Sequence, residues 1–269
     1  MFYDIENRRT LRQLIGYNDE VVGATFLSIS SPDSHVAFAT NSSLIRVYST
    51  EGNDARLLEG HSGTVLCLDH MANNFILASG SKDKTARLWY YASPSSVWKC
   101  LAVCEGHAES VGAIALSRKA DNKKLRFMFT GSQDRTIKMW DLSSLSVVDE
   151  ANEPQHCKSL TTQKVHDKDI NSLDIAPNDI LLASGSQDRT AKIYEIDYSC
   201  GSGGARGEIK LLGTCKGHKR GVWTVKFGKT EKVLATGSGD KSVKLWNLDD
   251  FSCIKVGHSS VFARKFIVN

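Results

Sequence analysis

Short apolar runs alternate with clusters of polar and turn-forming residues along most of the chain. The clearest example lies between His218 and Trp246, where apolar runs at 222–227, 233–238 and 243–246 are separated by Gly, Lys and Asp residues. Short runs rich in Val, Leu and aromatic residues, bounded by turn residues, are typical of strands in an antiparallel sheet. No helical period is long enough to predict a helix, so the pattern predicts an all-β protein.

The same pattern occurs four times with a fixed spacing of marker residues. In each copy a Ser or Thr precedes an Asp by four positions, and that Asp precedes an aromatic residue by six, with a His further upstream. The sets are His61, Ser79, Asp83 and Trp89; His107, Thr130, Asp134 and Trp140; His166, Ser184, Asp188 and Tyr194; and His218, Thr236, Asp240 and Trp246. Such copies resemble the WD40-repeat family, in which each repeat supplies about four strands to a β-propeller blade.

The resemblance implies that residues 1–269 form one propeller region of about five blades. Repeats are expected at 14–48, 61–89, 107–140, 166–194 and 218–246, with a partial sixth repeat from 257. The first repeat is degenerate, because Gly16-Tyr17 replaces Gly-His and its turn has no Asp. A propeller normally closes by pairing a terminal strand into its last blade, and the sixth repeat has one strand's worth of residues. We therefore expect an incomplete ring, a fragment of a larger propeller.

Three longer connections interrupt the regular spacing, at 117–124, 143–155 and 199–208. In a WD40 blade these connections open on one face of the ring, whereas the Gly-His and Asp turns open on the other. The Gly-rich stretch 201–207 does not lead from a strand into a helix, so a flexible loop is expected there rather than a phosphate-binding loop.

Each complete repeat contains a Ser or Thr, a His and an Asp, the residue types of a hydrolytic triad. Four equivalent copies argue against a single active site. In WD40 proteins the matching residues form a buried relay from the turn Asp through His and the strand hydroxyl to the Trp indole. The resemblance thus implies a structural network, with the hydroxyl of Tyr194 closing it in the fourth copy. We expect no catalytic residue, no metal site and no cofactor.

Composition and hydropathy argue against a membrane-spanning or secreted protein. The chain is 41% hydrophobic and 24% charged with a net charge of +4, which is ordinary for a globular protein. No apolar run approaches the roughly 18 residues of a membrane-spanning helix, and the start of the chain lacks the apolar core of a secretory signal. The seven cysteines contain no C-x-x-C pair, so reduced thiols in the cytosol or nucleus are expected.

Longer stretches make the resemblance more specific. They comprise 14–21, 33–36, 166–171, 176–179, 186–192, 217–221 and 250–253. Together they are similar to the transducin beta-like family, whose members are WD40-repeat subunits of the small-subunit processome. The resemblance implies a non-catalytic scaffold in the nucleus and nucleolus that supports small-subunit pre-rRNA processing and ribosome biogenesis. Its partners would be other processome proteins, with no small-molecule substrate and no membrane.

A substrate receptor or adaptor of a cullin-type ubiquitin ligase, or another WD40 signalling scaffold, is the alternative function. Receptors of that class usually carry Arg two residues after the Asp of a Trp-Asp pair. Here Trp140-Asp141 is followed by Leu142-Ser143, and Trp246-Asn247 by Leu248-Asp249. The missing Arg favours the processome scaffold.

A basic residue follows the turn Asp in all four complete repeats, where many WD40 repeats have Gly. The candidate binding face comprises these residues and three neighbours: Lys82, Lys84, Arg135, Arg189, Lys219, Arg220 and Lys241. Basic residues around one face would attract pre-rRNA or small nucleolar RNA phosphates, or an acidic segment of a protein partner. Exposed turns also carry Lys and Arg merely for solubility, so an inert surface is the competing interpretation.

Overall fold

A computed structural model gives the fold as an arrangement of short strands. It describes residues 2–4, 7, 9–12, 20–28, 34–50, 52, 55–71, 76–92, 97–119, 125–145, 153–229 and 232–258. All regular secondary structure in these ranges is β, and no helix there could cross a membrane. The prediction of an all-β chain is confirmed.

The described strands form five blades in chain order, each built from a four-stranded meander, and one small hairpin; the sheet of the second blade gains a fifth strand from a later connection. The hairpin comprises β1 (Phe2–Asp4) and β2 (Arg9–Arg12). The first blade comprises β3 (Val21–Leu27), β4 (His35–Thr40), β5 (Ile45–Ser49) and β6 (Ala55–Leu58). The second comprises β7 (Val65–Met71), β8 (Ile76–Ser81), β9 (Ala86–Ala92) and β10 (Val97–Cys104).

The third blade comprises β11 (Val111–Leu116), β12 (Phe127–Ser132), β13 (Thr136–Asp141) and β15 (Lys158–Lys164). The fourth comprises β16 (Ile170–Ile175), β17 (Leu181–Ser186), β18 (Thr190–Gly201) and β19 (Gly204–Lys216). The fifth comprises β20 (Val222–Phe227), β21 (Val233–Ser238), β22 (Ser242–Asn247) and β23 (Cys253–His258). The five-bladed WD40 propeller prediction is confirmed.

Every blade is an antiparallel meander whose first strand is innermost and whose fourth strand is outermost. Glycines on the second strand let neighbouring blades approach closely. A Cβ added to Gly80 would lie only 2.7 Å from Val111. One added to Gly131 would lie 2.7 Å from Ile170, and one added to Gly185 would lie 2.8 Å from Val222. Since these contacts join each blade to the first strand of the next, the repeated Gly fixes the spacing of blades around the ring.

Four hydrophobic clusters lie between successive blades. The first joins blades one and two, and includes Ala39, Val47, Leu68 and Trp89. The second joins blades two and three and includes Leu88 and Met128. The third joins blades three and four and includes Phe129, Met139, Ile170 and Leu173. The fourth joins blades four and five and includes Ile193 and Val225. Among the described residues, none of these clusters joins the fifth blade to the first.

Some connections differ from the sequence expectation. The stretch 199–208 is not a flexible loop, because β18 and β19 continue as a paired hairpin to the Gly201–Gly204 pair. The connection at 143–155 contributes β14 (Gln155–His156), which pairs in parallel with the outer edge of the second blade. Gly257 and His258, expected to open a sixth repeat, end the outer strand of the fifth blade. The predicted Gly16-Tyr17 substitution and the rest of the sixth repeat lie outside the described residues.

Candidate functional site

The second blade shows how the His, Ser, Asp and Trp side chains meet. His61 Nδ1 lies 2.7 Å from Asp83 Oδ2, and His61 Nε2 lies 2.8 Å from Ser79 Oγ. The indole N–H of Trp89 donates to the same Ser79 Oγ at 2.8 Å. Because the indole can only donate, Ser79 Oγ accepts from it. The network thus links the Asp83 carboxylate to the Trp89 indole through the His61 imidazole and the Ser79 hydroxyl.

The third and fifth blades repeat this geometry. The His–carboxylate, His–hydroxyl and indole–hydroxyl distances are 2.8, 2.7 and 2.8 Å for His107, Asp134, Thr130 and Trp140. They are 3.0, 2.7 and 2.8 Å for His218, Asp240, Thr236 and Trp246. The agreement between blades follows from the identical spacing of the residues on equivalent strands.

The fourth blade differs at the aromatic end. His166 contacts Asp188 and Ser184 at 2.7 Å each, but the buried hydroxyl of Tyr194 has no hydrogen-bond partner among the described residues. Burial raises the pKa of this phenol well above its ordinary value, although Ser184 lies close by. The expectation that Tyr194 closes the network stays a prediction, since the phenol lies close to Ser184 without a hydrogen bond of standard geometry.

Each turn Asp also organises its own turn. In the second blade Asp83 Oδ1 accepts from the backbone N–H and hydroxyl of Thr85 at 2.9 and 2.7 Å, while Oδ2 accepts from the N–H of Ser62 at 3.0 Å. Burial alone would raise the pKa of Asp83, but hydrogen bonds from His61 and Thr85 hold it well below its ordinary value. Equivalent bonds depress the pKa values of Asp134, Asp188 and Asp240. These carboxylates are fixed in the ionised form.

The strand hydroxyls of these networks are sealed inside the blades. Ser79, Thr130, Ser184 and Thr236 are all 0% exposed. A catalytic Ser needs its oxygen open to substrate, which none of these positions provides. Within the described part of the chain, no group of three or more His, Cys, Asp or Glu is arranged to hold a metal ion.

The candidate binding face lies at one end of the blades, and all seven of its residues are exposed. Backbone bonds tie each Asp turn to the start of its own first strand: Lys82 N to Thr64 O, Gln133 N to Ser110 O, Gln187 N to Asp169 O and Gly239 N to Gly221 O. The Asp turns and the Gly-His turns therefore share one end of each blade. The structure brings Lys219, Arg220 and Lys241 together on the fifth blade and distributes Lys82, Lys84, Arg135 and Arg189 over the other three.

The basic residues after the turn Asp adopt left-handed backbone conformations. The φ angles are 71° at Lys84, 71° at Arg135, 74° at Arg189 and 65° at Lys241. Glycine adopts this region freely, whereas other residues pay roughly 1 kcal/mol or more. A basic side chain thus occupies four positions where Gly would suit the backbone better.

The charge of this face is uneven. Acidic side chains flank the turns of the second, third and fourth blades at Glu59, Glu105, Glu109, Asp167 and Asp169. The Gly-His turn of the fifth blade instead reads Lys216-Gly217-His218-Lys219-Arg220-Gly221 and contains no acidic residue. Positive charge is therefore concentrated on the fifth blade rather than spread as a ring.

An ion-pair network crosses the blades along the central channel, which has a volume of about 650 Å³. Arg118 of the third blade contacts Asp69 of the second at 3.1 Å and Asp174 of the fourth at 3.0 Å, and Lys226 of the fifth contacts Asp174 at 2.8 Å. Burial would lower the pKa of Arg118, but the two carboxylates raise it. Four successive blades are thus joined by charge as well as by apolar packing.

These channel residues were not anticipated from the sequence. Asp69, Asp174 and Lys226 occupy one repeat position on the first strands, each opposite an Ala of the second strand. A charged residue at this strand position was the available signal. Trp223 was missed as well, although it stands in a channel position occupied elsewhere by Val22, Leu66, Gly112 and Asn171.

Comparisons with known proteins agree with this geometry. The profile described as "WD domain, G-beta repeat" matches residues 52–90, 98–141, 157–195 and 209–247. The chain is 40% identical to Transducin beta-like protein 3 of Homo sapiens over 228 residues, which cover 84% of this chain and 26% of that protein. It is 35% identical to U3 small nucleolar RNA-associated protein 13 of Saccharomyces cerevisiae over 200 residues, covering 71% of this chain and 23% of that one.

A more distant relative is the Ribosome biogenesis protein WDR12 homolog of Drosophila yakuba, which is 24% identical over 212 residues, covering 76% of this chain and 46% of that protein. The chain thus spans about a quarter of the length of the first two relatives. Four matched repeats, four His–Asp networks and five four-stranded blades coincide along the sequence. The chain belongs to the WD40-repeat family.

Proposed function

We propose that this chain is a non-catalytic scaffold of the nucleolar small-subunit processome and supports small-subunit pre-rRNA processing. The observation that carries the proposal is the 40% identity to Transducin beta-like protein 3, together with a yeast relative named for association with U3 small nucleolar RNA. The relative named as a ribosome biogenesis protein supports the same process. Because the chain spans about a quarter of the first two relatives, the function of the whole protein is carried over here as a proposal.

The absence of catalysis is part of the proposal. The residues that resemble a triad recur in four blades, and their hydroxyls are fully buried with indole or imidazole partners. A network that pairs buried polar atoms stabilises a blade, since an unpaired group costs roughly 1–3 kcal/mol. The stability of the blades is therefore sufficient to explain why the His, hydroxyl and Asp residues recur in each repeat.

Other processome proteins are the proposed partners, and the nucleolus is the proposed location. The candidate binding face supports an additional contact with pre-rRNA or small nucleolar RNA. All seven of its residues are exposed, and four of them, Lys84, Arg135, Arg189 and Lys241, have left-handed backbones that disfavour a side chain. A strained backbone kept for the sake of a charged side chain is more consistent with binding than with solubility.

The alternative role as a cullin-ligase receptor has less support. The Asp of the single Trp-Asp pair, Asp141, is engaged in its own turn, where Oδ1 accepts from the N–H and hydroxyl of Ser143 at 2.8 and 2.7 Å. The position two residues after it is this Ser143 rather than Arg. No other observation favours the ligase role.

Affinity purification from nuclear extract tests the proposal. The tagged chain is expected to recover pre-ribosomal proteins, whereas a matched Asp83→Ala, Asp134→Ala variant with two broken networks is expected to lose them through unfolding. Recovery of cullin adaptors without pre-ribosomal proteins would reverse the order of the two functions. Recovery of neither class would remove the support for both.

A further inference from the structure

The fifth blade carries an exposed indole beside its basic turns. Trp223 on β20 is 40% exposed, which is unusual for the bulkiest side chain on an innermost strand. The Trp residues of the repeats, Trp89, Trp140 and Trp246, are at most 2% exposed. Trp223 is therefore not one of the core residues of the blade.

The fifth blade is shaped to seat this indole. An added Cβ on Gly239 would lie 2.7 Å from Trp223 Nε1 and 3.7 Å from Arg220 Cβ. The residue before the turn Asp is Lys82, Gln133 or Gln187 in the second, third and fourth blades, and Gly only in the fifth of these repeats. A side chain at position 239 would displace the indole, so Gly and Trp occur together for a steric reason.

Hydrogen bonds hold the surrounding turn in place. The hydroxyl of Ser238 donates to Arg220 O at 3.0 Å, Gly239 N donates to Gly221 O at 3.1 Å, and Lys219 N donates to Asp240 Oδ2 at 2.9 Å. Asp240 is the sole carboxylate of this turn pair, and it is also bound to His218 at 3.0 Å. Lys219, Arg220 and Lys241 thus lie on ordered turns at the end of the blade where Trp223 packs beside Gly239.

We propose that this surface of the fifth blade, comprising Trp223, Gly239, Lys219, Arg220 and Lys241, binds single-stranded RNA. An exposed aromatic ring stacks on an unpaired base, and neighbouring cations contact the phosphates on either side of it. An acidic peptide would satisfy the charges but would leave the indole face unused. The inference rests on the proposed function, because it specifies which part of the basic face meets RNA.

The test uses the intact chain and a fluorescently labelled single-stranded RNA of about 12 nucleotides, the span of a typical single-strand site. Binding is followed by fluorescence anisotropy at about 50 and 200 mM salt. The principal variant is Trp223→Leu, because Leu66 occupies the equivalent position of the second blade. Trp223→Phe keeps an aromatic ring, and Lys219→Gln with Arg220→Gln removes charge. The matched control is Lys158→Gln with Lys210→Gln, which removes two exposed charges from outer strands outside the candidate binding face.

Trp223→Leu is expected to weaken binding by roughly 5- to 100-fold at unchanged melting temperature, and Trp223→Phe to restore most of it. The Lys219 and Arg220 pair is expected to weaken binding and to flatten its salt dependence by about 0.7 per lost phosphate contact. The Lys158 and Lys210 pair is expected to change neither quantity by more than about 2-fold, because these lysines lie on outer strands away from the proposed surface.

Two results would overturn the inference. One is equal binding by Trp223→Leu and the unchanged chain, or no RNA binding at all. The other is full displacement of the RNA by poly-glutamate with no difference between the Trp and Leu forms, which would assign the surface to an acidic protein. If either result is obtained while the chain still recovers pre-ribosomal proteins, the RNA site fails and the scaffold proposal stands. If the chain binds RNA as expected but recovers no pre-ribosomal proteins, the scaffold proposal fails and the RNA site stands.

Discussion

At the scale of single residues, the defining feature is a buried His held between a carboxylate and a hydroxyl. The Asp accepts four or more hydrogen bonds in the second blade, from His61, Thr85 and Ser62. Removing it leaves a buried imidazole N–H and two backbone N–H groups without partners. The relay is therefore a cooperative unit, and its members are not interchangeable with other polar residues.

Replacement of a turn Asp tests this unit. Asp188→Ala is expected to destabilise the chain by about 1–3 kcal/mol, because His166, which is 2% exposed, loses its partner. Asp167→Ala, at an exposed carboxylate next to the same His, is the matched control and is expected to change stability by less than about 0.5 kcal/mol. The measurement is urea denaturation of each variant. Equal stability of the two variants would show that the network does not support the blade.

Acidification is expected to destabilise the chain through the same groups. A carboxyl group whose folded pKa is depressed contributes stability that is complete above its unfolded pKa and is lost as the pH falls through the folded value. Asp83, Asp134, Asp188 and Asp240 all have folded pKa values below the ordinary 3.8. Burial also lowers the pKa of His218 below 6.5, so this residue begins to oppose folding when the pH falls below that value.

The melting temperature should therefore decline gently below pH 6.5 and steeply below pH 3.8, the ordinary pKa values of the two groups. Asp188→Asn, which cannot titrate, is expected to weaken the steep part of the decline. A melting temperature that stays constant or rises in acid would contradict the sign of these shifts.

The unpaired hydroxyl of Tyr194 gives a prediction of the opposite sign. Tyr194→Phe is expected to leave stability unchanged or to raise it, because it removes a buried hydroxyl that has no partner among the described residues. Tyr198→Phe is the matched control, since that hydroxyl donates to Arg126 O at 3.1 Å, and its loss is expected to cost about 0.5–1.5 kcal/mol. Denaturant midpoints of both variants decide the matter. A larger cost at Tyr194 than at Tyr198 would mean that its hydroxyl reaches Ser184.

The residue scale also shows where sequence reasoning succeeds. Fixed spacing placed His, Ser or Thr, and Asp on three connected elements, so their meeting could be predicted from numbering alone. Tyr194 departs from the Trp geometry because a phenol and an indole project their polar atoms differently from the same backbone position. The channel pairs of Arg118 could not be predicted, since they join three blades whose relative register is absent from any single repeat.

At the scale of elements, the long β18–β19 hairpin departs most from a regular repeat. Its residues Ile196 and Ile209 lie in the cluster between the third and fourth blades, and Tyr198 stacks against Phe127 with ring centroids 4.8 Å apart. Gly207 passes close to Met139 and Leu160 of the third blade. The Gly-rich composition predicted a loop, but the glycines permit close packing on a neighbouring blade. The local sequence could not show this, because the residues that the hairpin contacts belong to another repeat.

A second glycine on this hairpin tests its packing. A Cβ on Gly213 would overlap the ring of Phe251 in the fifth blade, whereas Gly203 at the hairpin tip has nothing within 4 Å. Gly213→Ala is expected to cost about 1–3 kcal/mol by overpacking, and Gly203→Ala is the matched control with little effect. Thermal unfolding of the pair provides the comparison. Similar melting temperatures for both variants would mean that Phe251 does not rest on the hairpin.

At the scale of the whole molecule, the described residues form no apolar cluster between the fifth blade and the first, and the incomplete ring expected from the sequence stays a prediction. Gly237 repeats the position at which Gly80, Gly131 and Gly185 receive the first strand of a following blade. The fifth blade is thus prepared for a neighbour that the described residues do not supply. On the other side of the opening, Val21 and Val22 of the first blade are 56% and 37% exposed. An opening with apolar residues on its border favours association.

The open ring predicts concentration-dependent behaviour. Sedimentation velocity of the isolated chain is expected to show reversible self-association, because unpaired strand edges form hydrogen bonds with other chains and exposed apolar surface is buried on association. Val22→Lys, on the border of the opening, is expected to reduce this association, and Leu212→Lys, on the exposed outer strand of the fourth blade, serves as the control. A chain that remains monomeric at high concentration and melts in one sharp transition would show that the ring is closed in solution.

The central claim is that this WD40 propeller is held within a pre-ribosomal particle without performing chemistry there. The most direct test is to sequence the RNA recovered with the tagged chain from nuclear extract. The proposed scaffold predicts enrichment of small-subunit rRNA precursor and small nucleolar RNA over large-subunit precursor. Recovery of no precursor, or equal recovery of both precursors at background level, would contradict it.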